Sequence, residues 1–214
     1  MTFTDRREAG RKLAEELTEY AGQNALVLGL PRGGVETGYE VAEALDAELD
    51  VIVTRKLGAP SNPEFGFGAI GPGGVRVLND STVQRLGLSE DQIEDVVERE
   101  QEELNRRLEE YRGQRELPEI EGRTVIVVDD GMATGGTALA AVQTTRAQNP
   151  KKIVLAVPVS PPDTADKLRD VVDELICLHT PRAFMAVGQW YQKFSQTTDE
   201  EVVQLLEKAE RMSE

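Results

Sequence analysis

The chain has 214 residues with one cysteine, one histidine and one tryptophan. A lone Cys177 excludes an internal disulfide framework. No apolar run approaches the roughly 18 residues that a membrane-spanning helix needs. The N-terminus is polar from Thr4 onward and lacks a signal-peptide pattern. The expectation is a soluble cytoplasmic protein with no membrane partner. Lysine is scarce, at 7 against 17 arginines, which hints at a salt-adapted source. The net charge of −15 and a pI near 4.6 oppose nucleic-acid binding over the general surface. An anionic substrate must therefore meet a local positive patch. There is no internal repeat, low-complexity tract or clear linker. The length suits a single domain over 1–214, with a lid and long-helix insertion at about 58–116.

Strands alternate with helices along the chain, so the expected fold class is α/β, a mainly parallel sheet flanked by helices. Residues 5–20 read as a packing helix, with Asp5 and Glu8 spaced as a capping box. A core strand over 25–30 stops at Pro31-Arg32-Gly33-Gly34, and a helix follows from about Val35 to Leu45. A second strand, 49–54, ends in Arg55-Lys56. Two cations at a strand end, in so acidic a chain, ask for an anion nearby. Residues 58–78 are turn-rich and read as a mobile lid, with a hairpin around Gly71-Pro72-Gly73-Gly74. Glu64, Phe65 and Phe67 are its expected inward contacts. Gly66, Gly68 and Gly71 spell Gly-x-Gly-x-x-Gly, but no long strand precedes them and Pro72-Gly73-Gly74 cannot open a helix.

Ser81–Leu86 reads as a short helical piece, and Ser89 caps a long helix running to about Arg115. Ile93, Val96, Val97, Leu104, Leu108 and Tyr111 form its apolar stripe, with charge pairs such as Glu102–Arg106 on the other side. Its charge run fits a solvated face, and the helix also fits a homodimer surface. Further strands are expected at 152–159 and 171–178, with a helix to about Arg169 between them. Cys177 reads as a small buried hydrophobe and His179 as structural. Phe184, Trp190, Tyr191 and Phe194 fit either a slot for a ring acceptor or a cap on the core. A terminal amphipathic helix begins at Asp199.

The most informative stretch is Thr124–Thr137. Four apolar, mostly β-branched residues suit a strand covered on both faces. Asp129 and Asp130 stand at its carboxyl end, where open parallel sheets bind ligands. Gly131, Met132, Ala133, Thr134, Gly135, Gly136 and Thr137 then lead into a helix whose free N–H groups favour an anion. An anion cradle beside paired acids makes little sense for a bare phosphate. It suits a phosphate that carries hydroxyls or a metal, such as a ribose 5-phosphate. A P-loop is rejected because Thr137 stands where the lysine must be.

Positions 125–137 resemble the signature of the type I phosphoribosyltransferases for phosphoribosyl pyrophosphate (PRPP). The signature is a hydrophobic strand, two acids, Gly, a hydrophobic residue, Ala or Thr, Thr, Gly, Gly or Ser, and Thr. The likeness is closest to uncharacterised phosphoribosyltransferase-like proteins of bacteria and archaea. It implies transfer of the 5-phosphoribosyl group to a nitrogenous acceptor with release of pyrophosphate. It further implies that Asp129 and Asp130 hold the ribose hydroxyls and favour the developing positive sugar. Residues 131–137 would hold the 5-phosphate. Arg32, Gly33, Gly34, Arg55 and Lys56 would hold the departing pyrophosphate, with Mg²⁺ bridging its oxygens rather than a protein-built metal site. Alternatives within the resemblance are a non-catalytic PRPP-sensing regulator and a hydrolase of a phosphoribosyl compound.

Overall fold

In a computed structural model, the structure describes residues 2–113 and 115–213, apart from the side chains of Glu64 and Ser213. The elements in chain order are α1 (Arg6–Glu16), β1 (Leu26–Gly29), α2 (Gly33–Leu45), β2 (Glu48–Val51), β3 (Arg55–Ala59), β4 (Asn62–Ile70), β5 (Arg76–Leu78), α3 (Asp80–Leu86), α4 (Glu90–Arg112), β6 (Thr124–Val128), α5 (Gly136–Arg146), β7 (Lys152–Val159), α6 (Pro162–Arg169), β8 (Glu174–His179) and α7 (Asp199–Ser213). Strands β1, β2, β6, β7 and β8 form one parallel sheet in the order β2-β1-β6-β7-β8. This is the mainly parallel, helix-flanked sheet that the alternation of elements predicts.

Side chains of successive strand residues point to opposite faces, and the core divides accordingly. Val27, Ile126, Val128 and Val154 pack with α1, α2 and α7. Leu26, Leu28, Val125, Val127, Ile153 and Leu155 pack with α5 and α6. Chain order runs outward from the middle in both directions, from β1 to β2 and from β6 through β7 to β8. The switch point is therefore between β1 and β6, which pair in register from Leu26↔Val125 to Gly29↔Val128. A crevice opens beyond the carboxyl ends of these two strands, the usual place for a ligand in such a sheet.

The segment expected to be a lid is a formed antiparallel sheet, β3-β4-β5. A hairpin joins β4 to β5 through a 3-10 turn at Pro72–Gly74, and a second, tighter hairpin joins β3 to β4. Leu57, Phe67 and Ile70 are fully buried and belong to the core. Phe65 points the other way, 40% exposed with the Arg85 guanidinium over its ring. The Glu64 side chain lies outside the described residues. Phe65 and Phe67 are two residues apart, which regular alternation would place on one face; the register shift of β4 against β3, from Leu57↔Gly68 to Gly58↔Gly66, breaks that alternation between them.

Several boundaries differ from the sequence reading. Strand β2 ends at Val51, so Arg55 and Lys56 open β3 in the other sheet rather than closing β2. Helix α2 begins at Gly33, inside the glycine turn. Helix α4 ends at Arg112, where Gly113 takes a positive φ. Strand β8 begins at Glu174, because Val171 and Val172 belong to the turn that follows α6. Asp5 caps α1 by accepting from the Glu8 N–H, but the Glu8 carboxylate accepts from Thr4 and not from Asp5. Ser89 and Gln92 do form a reciprocal capping box on α4. On that helix Arg106 pairs with Glu103 and Glu110 instead of Glu102. Ile93, Val96, Leu104 and Tyr111 are buried within the chain. Most of the apolar stripe of α4 is thus covered by the chain's own core, with Val97 and Leu108 partly buried against it.

Candidate active site

Two glycine-bearing turns meet at the switch point. The Leu30 N–H donates to the Val128 carbonyl (2.9 Å), which ties the end of β1 to the end of β6. The Pro31–Arg32 peptide is cis. Gly33 and Gly34 open α2 directly against the acidic pair. A methyl group on Gly33 would stand 2.0 Å from Asp130 Oδ2, and one on Gly34 would stand 2.7 Å from the Val128 carbonyl oxygen. Only hydrogen fits at both places, so glycine is required by close approach rather than by backbone angle.

Asp129 accepts from the Asp130 N–H at 2.8 Å. Burial raises the Asp129 carboxyl well above its ordinary range, and the adjacent Asp130 pushes the same way. Asp130 is held by two groups from distant parts of the chain. Arg6 Nε donates to Asp130 Oδ2 at 2.7 Å, and the Tyr191 hydroxyl donates to the Asp130 carbonyl at 2.5 Å. Arg6 is nearly buried, its side chain 7% exposed. Nothing in the sequence singles it out, because an arginine at the start of a highly charged amphipathic helix reads as a solvated residue.

Beyond the acids, Gly131 passes so close to Val187 that a methyl group there would lie 2.6 Å from its Cγ1. The buried Met132 donates its N–H to the Val159 carbonyl (2.9 Å), and Thr164 donates its hydroxyl to the Ala133 carbonyl (2.8 Å). Gly135 takes φ 75° as the N-cap of α5. With its inner side fixed, the loop presents Ala133, Thr134, Gly136 and Thr137 to solvent. The first N–H groups of a helix have no partner within it. This is an open anion cradle.

Arg55 and Lys56 come to the same place by another route. A cavity of about 400 Å³ is lined by Thr54, Arg55 and Lys56 on one side and by Thr134, Gly136 and Thr137 on the other. Arg99 and Glu100 of α4 close its wall. Arg55 is paired with Glu100 at 2.7 Å. The Thr54 hydroxyl is buried and has no hydrogen-bond partner among the described residues. A buried polar group without a partner calls for a reason, and Thr54 is among the residues that line this cavity. The sequence reading missed Thr54, Arg99 and Glu100, since only the folding of β3 against α4 and α5 brings them together. Arg32 turns away from both places, its guanidinium 3.5 Å from Asp199 at the start of α7.

The predicted site residues therefore fall into two groups. Gly33 and Gly34 abut Asp129 and Asp130, whereas Arg55 and Lys56 face Thr134, Gly136 and Thr137. Of the late aromatics, Tyr191 is buried and stacks on Phe194 at 5.1 Å, while Phe184 stacks on Trp190 at 6.4 Å. His179 meets Trp190 edge-on at 5.1 Å. Burial pushes the Cys177 thiol up to about 11, as suits an inert residue beside the sheet. Among the described residues no helix is long and apolar enough to cross a membrane.

Comparison with known proteins agrees with this geometry. The family model described as a phosphoribosyl transferase domain matches residues 4–192. The Mycobacterium tuberculosis H37Rv protein Rv0571c, provisionally named a phosphoribosyl transferase, is 49% identical over 209 residues. That match takes in 98% of this chain and 47% of the relative, so the chain spans about half the length of the curated relatives it matches. The crystal structure of TT1426 from Thermus thermophilus is 41% identical, with a TM-score of 0.91. The superposition covers 97% of this chain and 99% of that one. On the extent of the family match and the identity to these relatives, the chain belongs to the phosphoribosyl transferase domain family.

Proposed function

We propose that the protein transfers the 5-phosphoribosyl group of PRPP to a nitrogenous acceptor and releases pyrophosphate. The observation that carries this reading is the abutment of Gly33-Gly34 on Asp129-Asp130, beside an open anion cradle. The 5-phosphate sits on the free N–H groups and hydroxyls of Thr134–Thr137, with Thr54, Arg55 and Lys56 on its outer side. Asp129 and Asp130 hold the ribose hydroxyls. In the reaction the bond from the anomeric carbon to pyrophosphate breaks as a bond to the acceptor nitrogen forms. The sugar gains oxocarbenium character, so the protein supplies positioning and charge stabilisation rather than a nucleophile.

Mg²⁺ bound to one or two carboxylates and substrate phosphates is a common arrangement. Asp129 and Asp130 fit it as the protein's contribution, and the ion would neutralise the pyrophosphate as it leaves. The acceptor faces the segment Phe184–Phe194, which Val187 holds against Gly131. Pyrophosphate release from PRPP and Mg²⁺, measured against purine, pyrimidine and other nitrogenous acceptors, tests the reading. Acceptor-dependent release is expected. Release without an acceptor would favour a hydrolase, binding without release a sensor, and neither would end the proposal.

A further inference from the structure

Resting on the phosphoribosyl-transfer reading, we infer that Arg6 is a positioning residue for Asp130, which makes the N-terminal segment of this chain part of the active site. Four observations lead there. Arg6 Nε donates to Asp130 Oδ2 at 2.7 Å, and its Nη1 donates to the Ser195 carbonyl at 2.7 Å. The guanidinium lies 4.1 Å over the Phe194 ring. Phe3 and Thr4 are stitched to the late segment through Phe3 N–H to Trp190 O, Gln192 N–H to Phe3 O and Lys193 N–H to Thr4 O, all at 2.8–2.9 Å. Finally, Arg6 Nε and Asp130 Oδ2 both crowd the hydrogen side of Gly33.

A buried guanidinium is costly unless paired. Here the counter-charge is a residue of the acidic pair itself. A planar guanidinium bonds in fixed directions, unlike an ammonium. It thus sets the orientation of the Asp130 carboxylate while its other arm fixes Ser195. Asp130 is gripped through its side chain by α1 and through its main chain by Tyr191. Segments 3–6 and 191–195 close together on the residue assigned to the ribose.

The test compares the wild type with Arg6→Met and Arg6→Lys in PRPP turnover with Mg²⁺, with melting curves to confirm folding. Arg6→Met should lower kcat by about 10- to 100-fold, the usual worth of a hydrogen bond to a charged group, with little change in KM for PRPP. Arg6→Lys should fall between the two in kcat. A folded Arg6→Met with wild-type kcat would overturn the inference, as would losses that merely track melting temperature or that fall on KM for PRPP instead of kcat. Should Arg6→Met fail to fold, undiminished kcat in Arg6→Lys would overturn it. An inert wild type would instead defeat the transferase reading, and the inference with it.

Discussion

Asp129 shows how one residue can cost stability where it serves a site. Burial raises its carboxyl pKa above the unfolded value of about 4. Below that value the group is protonated in both states and contributes no difference. As pH rises past it, the unfolded chain ionises first, so stability falls until pH reaches the folded pKa. Asp129→Asn removes this penalty and keeps an oxygen to accept the Asp130 N–H. At pH 7 the variant should gain about 1–3 kcal/mol, or roughly 2–4 °C of Tm per kcal/mol in a chain of this length. The gain should vanish near pH 4, and turnover should fall. Calorimetry at the two pH values checks the sign; an equal shift at both would refute the burial account. The glycines of the crevice follow a different rule. Gly33 and Gly34 are needed because neighbouring oxygens leave no room, which a sequence marks only as a glycine pair.

At the scale of elements, the position of α1 decides whether Arg6 reaches Asp130. Helices α1 and α2 cross closely because Gly10 lies against the α2 backbone; a methyl group there would stand 2.5 Å from the Thr37 carbonyl oxygen. Gly10→Ala should cost about 1–3 kcal/mol through overpacking, despite alanine's better helix propensity. It should lower turnover as well, since α1 carries Arg6. Thermal melts and kinetics on the one variant measure both, and an unchanged Tm would show that the crossing relaxes freely. Helix α4 plays a comparable part for the antiparallel sheet. Its Glu100 pairs with Arg55, and its Arg112 reaches into the parallel sheet to pair with Asp50 at 2.7 Å. The charge run that reads as a solvated face therefore includes residues that tie the two sheets together.

For the whole molecule, the net charge of −15 is the dominant electrostatic fact. Self-repulsion of a like-charged surface disfavours the compact state, and salt shortens its reach to about 10 Å at 0.1 M. Melting temperature should therefore rise between low salt and several hundred millimolar sodium chloride. A fall would mean that specific ion pairs such as Arg6–Asp130 outweigh the net charge. The same charge explains why the cations matter locally. Arg55 and Lys56 gather at the cradle, where a dianionic phosphate can be held against the surrounding field.

The parallel, helix-flanked fold was legible from apolar β-branched runs alternating with amphipathic helices, because burial on both faces imposes that pattern. The motif at 125–137 was legible too, because strand, acids, cradle and helix are consecutive and their chemistry is local. What the sequence left open depends on approach between distant segments. The inward and outward faces of the antiparallel sheet, the turning of Arg32 toward Asp199, and the meeting of Arg55 and Lys56 with Thr134 and Thr137 all arise from packing. The grip of Arg6 on Asp130 spans 124 positions in the chain. No local preference distinguishes that arginine from its neighbour Arg7, whose side chain is 61% exposed. Only the packing of α1 and of segment 191–195 over the switch point buries one of them and gives it Asp130 as a partner.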